Sequence, residues 1–261
     1  MVSFVAYYQC GCIVASSFLG FHRNSFIHCI ITAQKRTNDV YEMSTISMRH
    51  KQNRLIIMAR TPLITRVKSR LAPELNQRQR LQFHRSSVNR LLQLSTQGSF
   101  SFRFYLSTVP RLPSPYARTR YRLQQGQDLG HRMQHAIDYE LRSSQRVILI
   151  GSDCLEINLE HIERAFQSLQ QRRSVVFTAA NDGGYVLVGM RQACPTLFKQ
   201  IQWGSPEVLE QSVKRASQAG RKIELLPPLI DIDNYRDITQ LRRPATLSTL
   251  DSSACNILKS L

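Results

Sequence analysis

Short apolar runs alternate along this chain with longer stretches in which apolar residues recur every three or four positions. Arg54–Ala59 (RLIIMA) is a compact apolar run that ends before Pro62, and it predicts a buried strand. In residues 72–94 the apolar positions are Leu75, Leu81, Val88, Leu91 and Leu92, with polar residues between them. Pro73 sits where a first helical turn accepts it, so this stretch predicts a helix. Phe100, Phe102, Phe104 and Leu106 alternate with other residues, the period of a strand over 99–107. Met133, Ile137 and Leu141 predict a helix over 128–141 that opens on an acid, Asp128. Arg146–Ile150 (RVILI) is too short for a helix and is closed by Gly151, so it reads as a buried strand.

The same alternation continues to residue 241. Asn158 is placed to cap a helix running to Leu169. Ser174–Thr178 and Tyr185–Val188 predict strands on either side of a turn at Asn181–Gly184. Ser205 and Pro206 open a further helix that Gly220 ends. Lys222–Leu226 predicts a strand and Tyr235–Leu241 a short helix. Repeated strand–helix alternation predicts an α/β fold: a mostly parallel central sheet with helices on both faces. In such sheets ligands sit at the carboxyl ends of the strands.

Residues 1–50 do not share this pattern. Met1–Gly20 is apolar but lacks a basic n-region and an A-x-A-type cleavage site, and Gln9, Ser16 and Ser17 interrupt it. We expect a poorly structured extension ahead of a start near Met43 or Met48, a domain over 51–243, and a C-terminal tail over 244–261. No stable membrane insertion is expected, because no apolar run is long enough to span a bilayer. The six cysteines are scattered without a CxxC pair, which suits reduced thiols and a cytoplasmic setting.

Charge changes the picture through its distribution. The net charge is +17 over 261 residues. Residues 55–127 hold 13 Lys/Arg and one acid, Glu74, whereas residues 128–261 hold 16 Lys/Arg and 15 Asp/Glu. Most of the basic positions read as a solvated surface. A junction of the two halves, however, could supply cations for phosphate and carboxylates for a metal.

Four segments carry candidate chemistry. After the first strand, Ala59, Arg60, Lys68 and Arg70 form a cationic loop suited to phosphate oxygens, with Arg66 among them. No Walker A loop occurs. Asp153 follows the strand RVILI and sits where a carboxylate can hold Mg²⁺ or Mn²⁺ against phosphates; capping the next turn is an equal alternative. Asp231 and Asp233, two apart on extended chain, point to one side and are candidates to complete that site. Asn181-Asp182-Gly183-Gly184-Tyr185 reads on its own as a hairpin turn. Trp203 reads as core packing and His84 as structural or exposed. Cys154 has no nearby histidine in sequence to activate it.

Taken in order, MARTPLITRVKSRLAP (58–73), QGQDLGHRM (125–133), LIGSDCL (149–155), NDGGYVLVG (181–189), WGSPEVL (203–209) and PPLIDIDNYRDI (227–238) resemble the arsenosugar-biosynthesis-like, selenodomain-associated glycosyltransferases. The resemblance covers about residues 55–241. It implies a single GT-A-type nucleotide-diphospho-sugar transferase domain, similar in fold to molybdopterin and phospholactate nucleotidyltransferases. It further implies that Arg60, Lys68 and Arg70 face nucleotide phosphates, that Asp153 and Asp233 bind the metal, and that Asp182 and Tyr185, with Gly183 and Gly184, line the acceptor or sugar side. Asp182 is then the candidate catalytic base. The chain departs from the family pattern at Ile64-Thr65-Arg66 (Pro-Gly-Lys in the family), at Ser69 (Thr), at Leu155 (Pro) and at Asn181 (Asp), and it lacks the usual acid near Asn89-Arg90.

The expected function is glycosyl transfer from a nucleotide-diphospho-sugar to a small-molecule acceptor, with Mg²⁺ or Mn²⁺. Nucleotidyl transfer from an NTP to a small phosphorylated or carboxylated acceptor would use the same parts. Non-catalytic nucleic-acid binding is the third reading. It is motivated by the basic half and opposed by the lack of a zinc finger, RNP signature or recognition helix.

Overall fold

The computed structural model describes residues 52–61, 67–110 and 121–261. The strands are β1 (Asn53–Ala59), β2 (Ser101–Leu106), β3 (Tyr121–Leu123), β4 (Arg146–Ile150), β5 (Ser174–Ala180), β6 (Tyr185–Met190) and β7 (Lys222–Leu229). They form one sheet in the order β3-β2-β1-β4-β6-β5-β7. Every neighbouring pair is parallel except the two made by β6, which runs antiparallel to β4 and to β5. The cause is local. Only four residues join β5 to β6, and so short a connection can produce only antiparallel neighbours.

The helices are α1 (Gln77–Ser95), α2 (Leu129–Glu140), α3 (Leu159–Ser168), α4 (Val208–Gln218), α5 (Tyr235–Leu241), α6 (Pro244–Leu247) and α7 (Ser252–Lys259). Successive strand residues point to opposite faces, and β1 shows the result. Leu55, Ile57 and Ala59 pack with Val88 and Leu91 of α1 and with Ile162 and Phe166 of α3. Ile56 and Met58 pack with Met133 and Ile137 of α2 and with Ala216 of α4. Strands buried on both faces explain why β1 and β4 read as unbroken apolar runs. Each fully buried Leu or Ile contributes about 1.5–3 kcal/mol relative to leaving it in water.

A third apolar cluster positions the site. Leu71, Leu75 and Phe83 meet Leu155, Ile230, Ile232, Ile238, Leu241, Ala254, Ile257 and Leu258 at the carboxyl edge of the sheet. Residues 244–261, expected as a tail, are therefore part of the folded body: α7 supplies three members of this cluster. Arg90 fastens it, pairing with Asp251, the N-cap of α7, and donating to the Ile157 carbonyl at 2.8 Å. Arg90 is itself buried.

Two helix starts differ from expectation. α1 begins at Gln77 rather than near Pro73, because Asn76 and Gln79 form a reciprocal capping box. α4 begins at Val208 rather than Pro206. Residues 203–207 form a turn instead, and Leu209 N donates to the Gly183 carbonyl at 2.9 Å. Strand β3 was not anticipated, since three residues are too few to show a period. The expectations for residues 1–50 and for Arg66 fall outside the described residues. Among the described residues no helix is long and apolar enough to cross a membrane.

Candidate active site at the carboxyl edge of the sheet

Lys68 is the hub. Its backbone takes the left-handed conformation (φ 52°, ψ 46°), unusual for a residue with a Cβ, immediately before the 3-10 turn Ser69–Leu71. Leu71 anchors that turn in the third apolar cluster. The strained backbone points the Lys68 side chain inward, where only 6% of it is exposed. Its ammonium lies 3.1 Å from Asp153 Oδ2, donates to the Ile232 carbonyl, and stands 5.4 Å from the centre of the Phe83 ring.

Asp153 sits three residues past the end of β4 and keeps 35% of its side chain exposed. Burial pushes its carboxyl up, but the Lys68 ammonium, together with hydrogen bonds from Lys68 and Ser152, outweighs burial. The pKa is held below the ordinary value, so the carboxylate is ionised. Ile232 N donates to the Asp153 carbonyl at 3.2 Å, which fastens the loop after β7 directly onto the loop after β4.

The loop after β7 carries Asp231 and Asp233 on either side of the fully buried Ile232. Asp233 pairs with Arg70 at 2.6 Å across an exposed edge. Asp231 responds differently. Burial and then the Asp153 charge push its carboxyl up to about 7, with Asp233 and Asp182 adding to the effect and Lys68 opposing it. So Asp153, Asp182, Asp231 and Asp233 share one electrostatic neighbourhood, next to a single buried ammonium.

This donor set fits a hard divalent cation. The groups are carboxylate oxygens, Asp153 and Asp233 are partly open to solvent, and burial followed by the Asp153 charge pushes the Asp231 carboxyl up to about 7. Among the described residues no three His, Cys, Asp or Glu side chains converge as a ready-made cage. A Mg²⁺ ion generally needs only one or two carboxylates when substrate phosphates and water complete its shell.

The remaining sequence candidates divide. Arg60 is exposed at the end of β1, and its carbonyl is held by Nε2 of the buried His84 at 2.8 Å. Ala59 is buried and offers only backbone; its carbonyl accepts from Gln124 Nε2 at 3.0 Å. Asp182 is exposed on the turn between β5 and β6, where Oδ1 accepts from Gly184 N at 2.9 Å. Tyr185 does not line a substrate side. Its ring packs against Phe177, with centroids 5.2 Å apart, and its hydroxyl is buried toward Ser212. Gly183 is structural as well. It has φ 87°, and a Cβ there would lie 2.0 Å from the Pro206 carbonyl oxygen, so only glycine lets the 203–207 turn approach. Gly184 belongs to the same turn, beside Asp182. Trp203 packs in the core against Gly130, as the sequence suggested. Cys154 is buried, and burial followed by the Asp231 charge pushes its thiol up, which leaves it unreactive.

Four further residues support the site, His84 in the structural role that the sequence allowed. His84 is buried and neutral, its pKa lowered chiefly by desolvation. Glu156 accepts from Ile230 N and so holds the entry to the acidic loop. Asp237 and Asn181 hold that loop from the other end. The Asn234-x-x-Asp237 spacing, a capping box ahead of α5, was a readable signal for Asp237. No local pattern marks the others, because their partners lie far along the chain.

Residues 109–205 match the family described as an uncharacterized protein conserved in bacteria (DUF2064). No curated protein matches the sequence. Among solved structures the chain is similar to a candidate nucleotide-diphospho-sugar transferase from Desulfovibrio desulfuricans. The identity is 26% and the TM-score 0.71, over 79% of this chain and 94% of that one. A cytidylyltransferase from Leptospira borgpetersenii matches at 12% identity and a TM-score of 0.44, over 80% of this chain and 93% of that one. A 4-diphosphocytidyl-2C-methyl-D-erythritol synthase from Anaerococcus prevotii matches at 11% identity and 0.46, over 76% and 97%. The sheet order and the flanking helices are those of a nucleotide-diphospho-sugar transferase-like fold.

Proposed function

We propose that this chain is a transferase that takes a glycosyl group from a nucleotide-diphospho-sugar, with Mg²⁺ or Mn²⁺ bound through Asp153 and Asp233. One observation carries the reading: Lys68 and Arg70, two residues apart on the loop after β1, pair separately with Asp153 and Asp233 from the loops after β4 and β7. Three strand ends thus bring cationic and acidic groups to one edge of the sheet, where a diphosphate needs both. The likeness to the Desulfovibrio protein, over nearly its whole length, supports a nucleotide-sugar donor.

In this reading the divalent cation, when bound, neutralises charge growing on the leaving diphosphate. The protein's own residues do the rest. Lys68, fixed by its backbone and by the Ile232 carbonyl, provides a preorganised positive charge that needs no rearrangement as the bond breaks. Arg70, 66% exposed, swings between Asp233 and incoming phosphate oxygens. Asp182, exposed on the β5–β6 turn, takes the acceptor hydroxyl proton.

Thermal-shift titration with nucleotide-diphospho-sugars and with NTPs, each with and without Mn²⁺, tests the reading. A bound ligand at 100 times its Kd stabilises the fold by about 2.7 kcal/mol. The expected result is a Mn²⁺-dependent rise with a nucleotide-diphospho-sugar. A rise with NTPs alone would turn the assignment to nucleotidyl transfer, and no rise with either would end it.

A further inference from the structure

We propose that Asn181 and Asp237 are positioning residues that set the acidic loop for cation binding, and that position 181 requires an amide rather than a carboxylate. The proposal rests on the reading of Asp233 as a cation ligand.

Asp237 is 5% exposed and fully employed. Its Oδ2 accepts from Asp233 N and Asn234 N, both at 2.9 Å, and its Oδ1 accepts from Asn181 Nδ2 at 2.8 Å. The other end of the Asn181 amide accepts from Asp231 N at 3.1 Å. The amide orientation follows from its partners. A backbone N–H can only donate and an ionised carboxylate can only accept, so Oδ1 must face Asp231 and Nδ2 must face Asp237. This one amide therefore holds the backbone of Asp231 directly and that of Asp233 through Asp237. It also ties that loop to the β5–β6 turn carrying Asp182, so donor-side and acceptor-side segments share a single link.

An aspartate at 181 would break the link twice. It would face Asp237 acceptor to acceptor across 2.8 Å. It would also place a negative charge beside Asp231, whose backbone N–H the same side chain holds at 3.1 Å. The chain's asparagine at a position where the resembling family has an acid thus has a physical reason in its own hydrogen-bond network.

A swap experiment decides the matter. In N181D two acceptors collide, and in D237N two donors do. In the double variant N181D/D237N the donor and acceptor exchange sides, so the network is rebuilt at unchanged net charge. The readouts are Mn²⁺ affinity, measured by electron paramagnetic resonance of the free ion without any substrate, and thermal melting. Each single variant should weaken Mn²⁺ binding by about 10-fold or more, the usual cost of losing a group that orients a metal ligand. The double variant should recover most of that loss. Wild-type affinity in the single variants, with or without a lower melting temperature, would reduce the pair to a structural role. Losses that add in the double variant would overturn the proposal as well. If the wild type itself binds no Mn²⁺, the cation reading falls and this proposal with it. Wild-type binding with unmoved variants removes this proposal alone. Asn181 is exposed, so N181D decides the point if D237N does not fold.

Discussion

Two ionic clusters in this molecule use the same ingredients to opposite ends. On the face covered by α2, one carboxylate meets three guanidinium groups. Glu140 lies 3.0 Å from Arg54, 3.6 Å from Arg103 and 3.7 Å from Arg122, and the Tyr105 hydroxyl donates to it at 3.0 Å. Its side chain is 2% exposed, so no ligand can reach it, and the arginines act as its solvent. At the carboxyl edge of the sheet the proportions reverse. Lys68 pairs with Asp153 and Arg70 with Asp233, Asp231 and Asp182 add further negative charge, and Asp153 and Asp233 keep 35% and 31% of their side chains exposed. The lesson is that charge alone does not mark a site. A buried, outnumbered carboxylate stabilises structure; carboxylates in excess and partly open to water are the ones the proposed function assigns to a cation.

The comparison can be broken most severely at its structural end. E140Q keeps the side chain's shape but leaves three arginines without their counter-charge, and removing one partner of a buried ion pair costs about 3–5 kcal/mol. Chemical denaturation should show a loss of that size, while turnover of the protein still folded stays unchanged. If E140Q is as stable as wild type, the cluster is not structural and the contrast fails.

D153N should behave in the opposite way. Removing one charge-stabilising group from a catalytic site typically costs 10²–10³ in rate, about 2.7–4 kcal/mol of transition-state stabilisation. Asp153 is one-third exposed, so its loss should lower the melting temperature far less than E140Q does. A D153N enzyme with full turnover would remove the metal assignment.

Much of this contrast was legible in the chain. Apolar runs set β1 and β4, and Lys68 and Asp153 meet beyond their ends because a parallel sheet collects its strand ends at one edge. Asp231 and Asp233 were visible as a spaced pair after a strand. Tyr185 was not read correctly. Its turn faces the site, yet strand alternation sends its ring to the α2 and α4 face beside Phe177. The basic stretch 55–127 read as surface, but Arg90, Arg103 and Arg122 are tied up in ion pairs with Asp251 and Glu140, partners distant in sequence. Long-range pairing leaves no local periodicity, which is why the Asn181 and Glu156 bonds were also invisible.

The smallest effect sharpens the comparison most finely, because it turns on a single proton. Asp231 titrates at about 7 in the fold against an ordinary 3.8. Between those values the folded chain holds a proton that the unfolded chain has released, so stability falls as pH rises through this window. The contribution is complete below about pH 4 and is lost above about 7. An asparagine at 231 carries no charge at any of these pH values. The melting temperature of the wild type should therefore decline relative to D231N between pH 4 and 7. Mn²⁺ favours the ionised acid, so its binding releases that proton, and wild-type affinity for the ion should rise across the same window and level off above it. In D231N the rise from this group should be absent. Parallel melting curves for the two proteins would mean that neither burial nor the neighbouring acids raise this carboxyl, and the excess negative charge that separates this cluster from the one around Glu140 would have no energetic consequence.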